Sequence, residues 1–307
     1  MQRQFGGVLL GSIELFCLAA ELGSFTAAAQ AAGVTPAAVS RSLARLEARL
    51  GVRLFVRSTR RVRLSEAGSS YYEQCRQALS QLGEAERVLG GQQQEPSGLL
   101  RMSLPTTYGH FRVLPLLPTF RQRYPQVQVQ VELSNRNVDL VGEGFDLAVR
   151  ARAPADSSLI ARPLEDAPLV VVAAPDYLRR HGRPQSPSEL VEHECIQFLL
   201  PSSGRPVPWL FRQQGRQIEL ATHGGYCCSA DILGGATLAR HGAGLVQLMR
   251  FIVEDDLRSG CLEEVLTEHG GCSRPFSLIY PSARFLPQRV RVFVDFLLEH
   301  CAAQDTQ

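Results

Sequence analysis

The chain has 307 residues, 45% apolar and 20% charged, which is enough to bury a sizeable core and too many for one ordinary compact unit, so two domains are expected. All 32 basic residues are arginine, and without lysine there can be no Walker-type phosphate loop, no Schiff-base cofactor and no Ser-x-x-Lys nucleophile. The net charge is only +2, yet residues 1–64 hold nine Arg against three Glu, a local +6 that leaves −4 for the remainder and points to a polyanion at one end.

The longest apolar stretch, Leu169 to Ala174, suits a buried strand and falls far short of the roughly 18 residues of a membrane span. The apolar patch Val8 to Leu10 follows glycines and lacks the long apolar region and cleavage site of a signal peptide, so a cytoplasmic location without membrane attachment is expected. Cysteines stand at 17, 75, 195, 227, 228, 261, 272 and 301, with no Cys-x-x-Cys pair and no Cys/His cluster at zinc spacing, so neither structural zinc nor a cofactor is expected. The vicinal pair Cys227-Cys228 reads either as a redox reporter or as unpaired, buried thiols of a cytosolic protein.

From Ile13 to Leu22 apolar residues recur at helical spacing, with Gly23 to end the helix. Ser24 or Thr26 can cap the next helix, an alanine-rich run from Ala27 to Ala32 whose small side chains let another helix cross closely. Gly33 turns the chain; Thr35 then offers a cap and Pro36 suits the first position of a third helix carrying Val39, Leu43, Leu46 and Leu50 on one stripe. Ser40, Arg41 and Arg45 lie off that stripe, a face that fits the major groove or, read more plainly, an ordinary solvated surface. Leu54-Phe55-Val56 and Val62-Arg63-Leu64 then read as two short strands around Arg57-Ser58-Thr59-Arg60-Arg61, which has the form of a basic wing placed for phosphates or the minor groove.

Four strings in order, Gly23-Ser24-Phe25-Thr26-Ala27-Ala28-Ala29, Val39-Ser40-Arg41-Ser42-Leu43-Ala44-Arg45-Leu46-Glu47, Gly51-Val52-Arg53-Leu54-Phe55-Val56-Arg57-Ser58 and Leu64-Ser65-Glu66-Ala67-Gly68, strongly resemble the N-terminal signature of LysR-type transcriptional regulators. The resemblance implies double-stranded DNA as partner and a homodimer or homotetramer, with RNA polymerase as a further partner. It places Ser24, Thr26, Thr35, Pro36, Ala37, Ser40, Arg41, Arg45, Arg57, Ser58, Arg60 and Arg61 toward DNA. Pro36 stands where many members carry a base-reading glutamine, which moves the expected readout to Thr35, Ser40 and Arg41.

After Ser65, residues Glu66 to Leu89 lack proline and carry Tyr71, Cys75, Ala78, Leu82, Ala85 and Leu89 at heptad-like spacing. One stripe of this kind fits either a two-helix seam, which the resemblance favours, or packing on the chain's own core. The polar run Gly90 to Gly98 reads as a hinge.

Beyond it strands and helices alternate: a strand at Leu99–Leu104, a helix at Pro115–Tyr124, a strand at Val127–Leu133, a short helix at Asp139–Gly142 and a strand at Phe145–Arg150, which implies an α/β sheet. The strings Leu114-Pro115 through Arg123-Tyr124-Pro125, Gly144-Phe145-Asp146-Leu147-Ala148-Val149-Arg150, Ala174-Pro175-Asp176-Tyr177-Leu178, Gly242-Ala243-Gly244-Leu245 and Leu286-Pro287 through Phe293-Val294-Asp295-Phe296-Leu297 resemble the same family's effector domain, with Met249 replacing a usual proline.

The resemblance implies a two-lobed domain like a periplasmic binding protein, with a ligand cleft between lobes joined by crossing strands. The expected fold class is thus a two-part α+β chain: an N-terminal all-α winged helix-turn-helix over 1–64, a linker helix and hinge over 65–98, and an α/β two-lobed domain over 99–303. Lobe one is expected at 99–165 and 266–303, lobe two at 166–265. Clefts of this kind hold ligands at strand C-termini and helix N-termini. Thr106 and Thr107, Ser134 and Asn135, Arg150 and Arg152, with Phe198 and Ser229 from lobe two, are the effector-binding candidates. Each also has a plain reading as cap, turn former or solvated charge. An arginine at a cleft-facing strand end favours a small anionic effector, because guanidinium can clamp a carboxylate.

Against an enzyme stand the lack of a nucleophile elbow, metal-ligand spacing or dinucleotide fingerprint, and histidines (His110, His181, His193, His223, His241, His269, His300) that form no constellation. A solute-binding protein working by its cleft alone would leave residues 1–64 unexplained. A thiol-based regulator would need two lobe-two cysteines a short loop apart, a spacing the sequence does not show clearly.

Overall fold

The computed structural model describes residues 10–57, 62–89, 95–151, 159–282 and 286–304. The chain forms two compact units, residues 1–94 with 142–144, and residues 95–141 with 145–307.

In the first unit α1 (Leu10–Leu22), α2 (Phe25–Ala31) and α3 (Pro36–Leu50) precede a hairpin of β1 (Phe55–Arg57) and β2 (Val62–Leu64), followed by α4 (Glu66–Leu89). Between the two expected caps the fold selects Ser24, whose Oγ accepts the Ala27 N–H at 3.3 Å. α2 therefore starts two residues before the expected Ala27, and Thr26 lies inside it. Thr35 caps α3 by accepting the Ala38 N–H at 3.2 Å, Pro36 follows, and Gly51 ends the helix at φ +70°. The buried stripe Val39, Leu43 and Leu46 meets Phe16, Ala28 and Ala29, and Phe55 stands edge-on to Phe16 and Phe25 with ring centroids 5.5 and 5.3 Å apart. Gly68 permits α4 to pass Leu54, because a Cβ there would sit 1.9 Å from the Leu54 carbonyl oxygen.

The stripe on α4 divides: Tyr71 and Cys75 pack into the unit's own core, whereas Ala78 and Leu82 are exposed.

In the second unit β3 (Gly98–Leu104) runs into an unbroken helical stretch that begins as α5 (Thr106–Tyr108), widens to a π-turn over Gly109–Val113, tightens to a 3-10 turn over Leu114–Leu116 and ends as α6 (Leu117–Arg123). The expected helix at Pro115–Tyr124 therefore starts nine residues earlier, at Thr106. Gly109, usually a helix-weakening residue, is required there, since a Cβ would lie 2.4 Å from Leu133 Cδ2. β4 (Val127–Leu133) and β5 (Leu147–Arg150) pair parallel to β3. The expected helix at Asp139–Gly142 is instead a turn that closes at Gly144, φ +71°, and packs Leu140 against Phe145. Glycines at 142 and 144 favour the turn over helix propagation.

The long β6 (Leu159–Ala173) pairs antiparallel with β13 (Ser273–Pro281) from Leu159 to Pro168 and crosses the unit. Its last residues, Leu169–Ala173, pair instead with β11 (Val246–Met249) and β12 (Glu263–Val265). One lobe is thus built on β3, β4 and β5, the other on the far end of β6. The second lobe adds α7 (Pro175–His181), a parallel pair β7 (Gln197–Leu199) and β10 (Cys227–Ser229), an antiparallel pair β8 (Trp209–Gln213) and β9 (Arg216–Leu220), and α8 (Leu233–Arg240) and α9 (Arg250–Ser259). α10 (Gln288–Gln304) sets Phe293 and Phe296 on Phe120 of the first lobe. Met249 takes φ −65°, the value a proline would impose, so the replacement leaves the entry to α9 unchanged.

Inside the second lobe the buried Tyr177 hydroxyl meets His193 Nδ1 at 3.2 Å and accepts the Glu194 N–H at 2.9 Å, while its ring stacks on His181. Burial, helped by the charge of His181, holds the His193 pKa below its ordinary 6.5. The unfolded chain therefore binds more protons than the native one between the depressed value and 6.5, and stability must fall as pH drops through that window and level off below it. Thermal melts from pH 8 to pH 5 should show this acid loss in the wild type and a shallower one in His193→Gln; parallel curves would refute it.

Candidate DNA interface and effector cleft

On α3, Pro36, Ala37, Arg41 and Arg45 are exposed and Ser40 is half-buried, opposite the buried stripe. The spacing 37, 41, 45 puts the three residues on one face of the helix. Thr35 and Thr26 are also exposed, and the half-buried Ser24 and Thr35 each keep a hydroxyl proton to donate after capping. The backbone of Arg57 ends β1; Ser58, Arg60 and Arg61 lie outside the described residues, as does Arg152. Arg63, exposed on β2 and paired with Val56, adds a cation to the wing strands that sequence reasoning passed over. Alternation with Val62 and Leu64 was its signal.

Glu47 fixes the wing strand to α3. Its carboxylate is buried on the inner side of the helix and accepts the N–H groups of Leu54 at 2.8 Å and Phe55 at 3.2 Å. Arg53 also approaches it, at 3.5 Å.

At the seam of the two lobes the hydroxyl of Thr106 donates to Asp231 Oδ1 at 2.9 Å, and the amide of Asn135 donates to Thr106 Oγ1 at 2.9 Å and to the Ala230 carbonyl at 2.6 Å. Asn135 Oδ1 in turn accepts the Thr106 N–H at 3.2 Å. The seam therefore joins two expected residues to two the sequence reading missed. Asp231 had a local signal, as its Oδ1 also accepts the Leu233 N–H at the start of α8, in the manner of a cap. Ala230 sits at φ +65°, unusual for a residue with a Cβ, and is held there by this bridge.

Thr107 is buried beside Thr106, and Ser134 sends its N–H to the Leu104 carbonyl at 2.8 Å. Arg150, half-buried at the end of β5, lies over Ser103, donating to its carbonyl at 3.1 Å and its Oγ at 2.9 Å. Ser229 is exposed at the end of β10.

Phe198 lines a cavity of about 50 Å³ in the second lobe, walled also by Val207, Trp209, Ile232, Val246 and Met249. Cys228 is half-buried and lines the same cavity, while Cys227 is exposed, so the reading of both as buried thiols does not hold for Cys227. Burial first, then the neighbouring Cys227, raises the Cys228 thiol above its ordinary range and disfavours its thiolate. No disulfide forms among the described residues.

An arginine-faced helix-turn-helix with a wing, carried on one chain with a two-lobed cleft domain, is the architecture of a ligand-responsive DNA-binding regulator. Comparison with known proteins gives the same answer. The model of the bacterial regulatory helix-turn-helix protein, lysR family, matches residues 10–69, and that of the LysR substrate binding domain matches residues 93–302. The chain is 34% identical over 295 residues to the probable HTH-type transcriptional regulator LtrA of Klebsiella pneumoniae, covering 95% of this chain and 94% of that one. It is 34% identical over 289 residues to the regulator CrgA of Neisseria meningitidis, covering 94% and 95%. The solved structure of CrgA superposes with a TM-score of 0.60 at 32% identity over 96% of this chain and 99% of that one. That of the Vibrio cholerae virulence activator AphB does so with a TM-score of 0.60 at 26% identity, over 95% and 99%.

The chain belongs to the LysR family of transcriptional regulators. It is a DNA-binding regulator under effector control, of a family that forms oligomers and is not one of enzymes. Among the described residues no helix is long and apolar enough to cross a membrane.

Proposed function

We propose that residues 1–64 bind duplex DNA as one half of a dimer, that residues 65–98 link the halves, and that residues 99–303 close around a small anionic effector. Lobe one then spans 99–165 and 266–303, and lobe two 166–265. The observation that carries the DNA reading is the exposed face of α3, with Arg41 and Arg45 opposite the buried stripe of Val39, Leu43 and Leu46. In this reading Arg41, Ser40 and Thr35 read base edges, Ala37 and Pro36 approach the groove floor, and Arg45, Ser24, Thr26 and the wing residues Arg57, Ser58, Arg60 and Arg61 hold phosphates.

The open groove between α1 and α4, lined by Leu15, Leu18, Arg76 and Leu79, and the exposed Leu82 on α4 support pairing of two copies. A homotetramer would pair such dimers, and RNA polymerase is the cytoplasmic partner through which bound protein would act.

Gel-shift titration of the full chain on operator and random DNA, across salt concentrations, tests this reading. Arg57→Ala should weaken both DNAs alike and lower the salt slope by about one unit. Arg41→Ala should cost roughly 1–3 kcal/mol on the operator and relax preference at one position. Equal losses on both DNAs would remove Arg41 as a reader, and full operator affinity from a monomer would remove the dimer.

For the effector, the half-buried Arg150 supports an anion, with Thr106 and Asn135, whose donors are committed to the seam, fixing the mouth of the cleft, Thr107 and Ser134 shaping the strand ends, Phe198 and Ser229 facing from lobe two, and Arg152 supplying a further charge. Arg150→Ala should abolish the effector-dependent change in the operator footprint without loss of operator binding. An unchanged effector midpoint in that variant, or a cationic ligand, would refute the assignment.

A further inference from the structure

Gln197 is 4% exposed, and only half of its amide is satisfied by the chain. Its Nε2 donates to the Cys195 carbonyl at 2.8 Å and to Thr222 Oγ1 at 2.9 Å, whereas its Oε1 is buried without a hydrogen-bond partner. The amide cannot be reversed, because a carbonyl only accepts and a flip would set Oε1 against that of Cys195. A buried acceptor left open costs stability, and a native fold that keeps one leaves room for a donor from outside the chain.

Gln197 lines the lobe-two cavity, where the other side chains offer a ligand little polarity. Phe198, Val207, Ile232 and Val246 are apolar, and Gln247 commits both ends of its amide to Leu210, accepting its N–H and donating to its carbonyl at 2.8 Å. Size limits the occupant: about 50 Å³ is roughly a third of the ~150 Å³ at which an apolar cavity accepts benzene, room for about two heavy atoms. Polarity limits it further. An alkyl group would leave Oε1 unpaired, a carboxylate would set oxygen against oxygen, and an ammonium would give up its water beside Arg274, which lines the same wall. What remains is a neutral donor carried on one carbon.

We infer that this cavity is a subsite for a hydroxymethyl group, its O–H donating to Gln197 Oε1 and its carbon packed on the apolar wall, so that the effector ends in a primary alcohol. The inference rests on the reading of the chain as an effector-controlled regulator and names one group of that effector. The cavity also reaches the seam through the chain. Cys228 and Ile232 both line it, and between them lie the Ala230 carbonyl and the Asp231 carboxylate that hold Asn135 and Thr106. A group seated here therefore bears on the segment that joins the lobes.

The test is an NMR titration of the isotope-labelled full chain with methanol, acetonitrile and methylammonium. It is read at the side-chain amide of Gln197 and at the indole of Trp209, the single tryptophan, which lines the cavity. Methanol should shift both signals saturably, with a midpoint on the order of 10-fold below that of acetonitrile, a small molecule that can only accept. Methylammonium should shift neither. Val207→Phe, which fills the cavity, should abolish the methanol response. The discrimination among the three probes is made by the wild type and does not depend on a variant folding.

Acetonitrile or methylammonium binding as tightly as methanol overturns the inference. So does a Gln197 amide that no concentration of methanol shifts, since a water then serves Oε1, or a wild-type methanol midpoint in Val207→Phe. Operator footprinting with a cell metabolite extract separates this inference from the reading beneath it. A footprint that the extract changes equally in the wild type and in Val207→Phe overturns the subsite alone, whereas a footprint that no metabolite pool alters overturns the effector reading.

Discussion

Glu47→Ala is expected to abolish operator binding and to destabilise the N-terminal unit by about 2–6 kcal/mol, although Glu47 faces away from the exposed arginines of α3. Its carboxylate is the acceptor for two buried backbone donors, Leu54 and Phe55 N–H, and these open the strand that leads into the wing. Alanine leaves both donors buried without a partner, at roughly 1–3 kcal/mol each. It also frees Phe55, whose ring is wedged between Phe16 and Phe25, to move away from α3.

The distance between α3 and the wing strands is then no longer set, and on the proposed reading the two cannot engage groove and phosphates together. Glu47→Gln keeps one oxygen that can accept an N–H and should retain much of both stability and binding. Urea unfolding of the full chain, read beside gel shifts, separates the outcomes. A Glu47→Ala protein with wild-type operator affinity would show that the wing needs no such anchor.

Asp146→Ala is expected to cost about 3–5 kcal/mol in the C-terminal unit, because it strands a buried cation. Asp146 accepts the Arg101 N–H at 2.8 Å and the Arg289 Nη2 at 3.1 Å, and Arg289 also donates from Nε to the Leu99 carbonyl at 2.9 Å. Arg289 is 6% exposed, so once its partner is removed its charge has little access to water. Burial raises the Asp146 carboxyl above its usual range, outweighing the pull of Arg289, which shows that the pair carries a desolvation cost as well as an attraction.

The double replacement Asp146→Leu with Arg289→Met should therefore be less damaging than Asp146→Ala alone. Calorimetric melting of the three proteins measures this directly. A double variant that melts no higher than Asp146→Ala would mean that the stranded Arg289 charge is not the cause of the loss. The consequence for function is that the start of β5, and with it the placement of Arg150 at its end, depends on an ion pair closed by the last helix.

What could be read in advance was local. The cap at Thr35 with Pro36 at the first helical position, the turn at Gly33, the second wing strand and the whole of α4 from Glu66 to Leu89 depend on neighbours within a few residues, and the fold places them as read, while the first wing strand lies one residue later than Leu54–Val56, at Phe55–Arg57. Exposure of Arg41 and Arg45 likewise follows from the 3.6-residue period once the apolar stripe is known.

Tertiary structure decided what depends on distant partners. The chain carries no mark that would send Tyr71 and Cys75 into the core while leaving Ala78 and Leu82 exposed on the same stripe, because the difference lies in where Phe16 and its neighbours end. Nor could Gly109 be recognised as part of a helix before Leu133 was seen packed against it.

The seam is the strongest case. Thr106 and Asn135 are 29 residues apart, and the partner they share, Asp231, lies 125 residues from Thr106. Periodicity and capping rules act over a few residues, whereas a cleft is made by chain segments that only the crossing strands β6 and β13 bring face to face. Sequence alone thus pointed to the family and to the helix-turn-helix with its exposed arginines; folding decided which polar groups face one another, since hydrogen-bond geometry is satisfied in space and not along the chain.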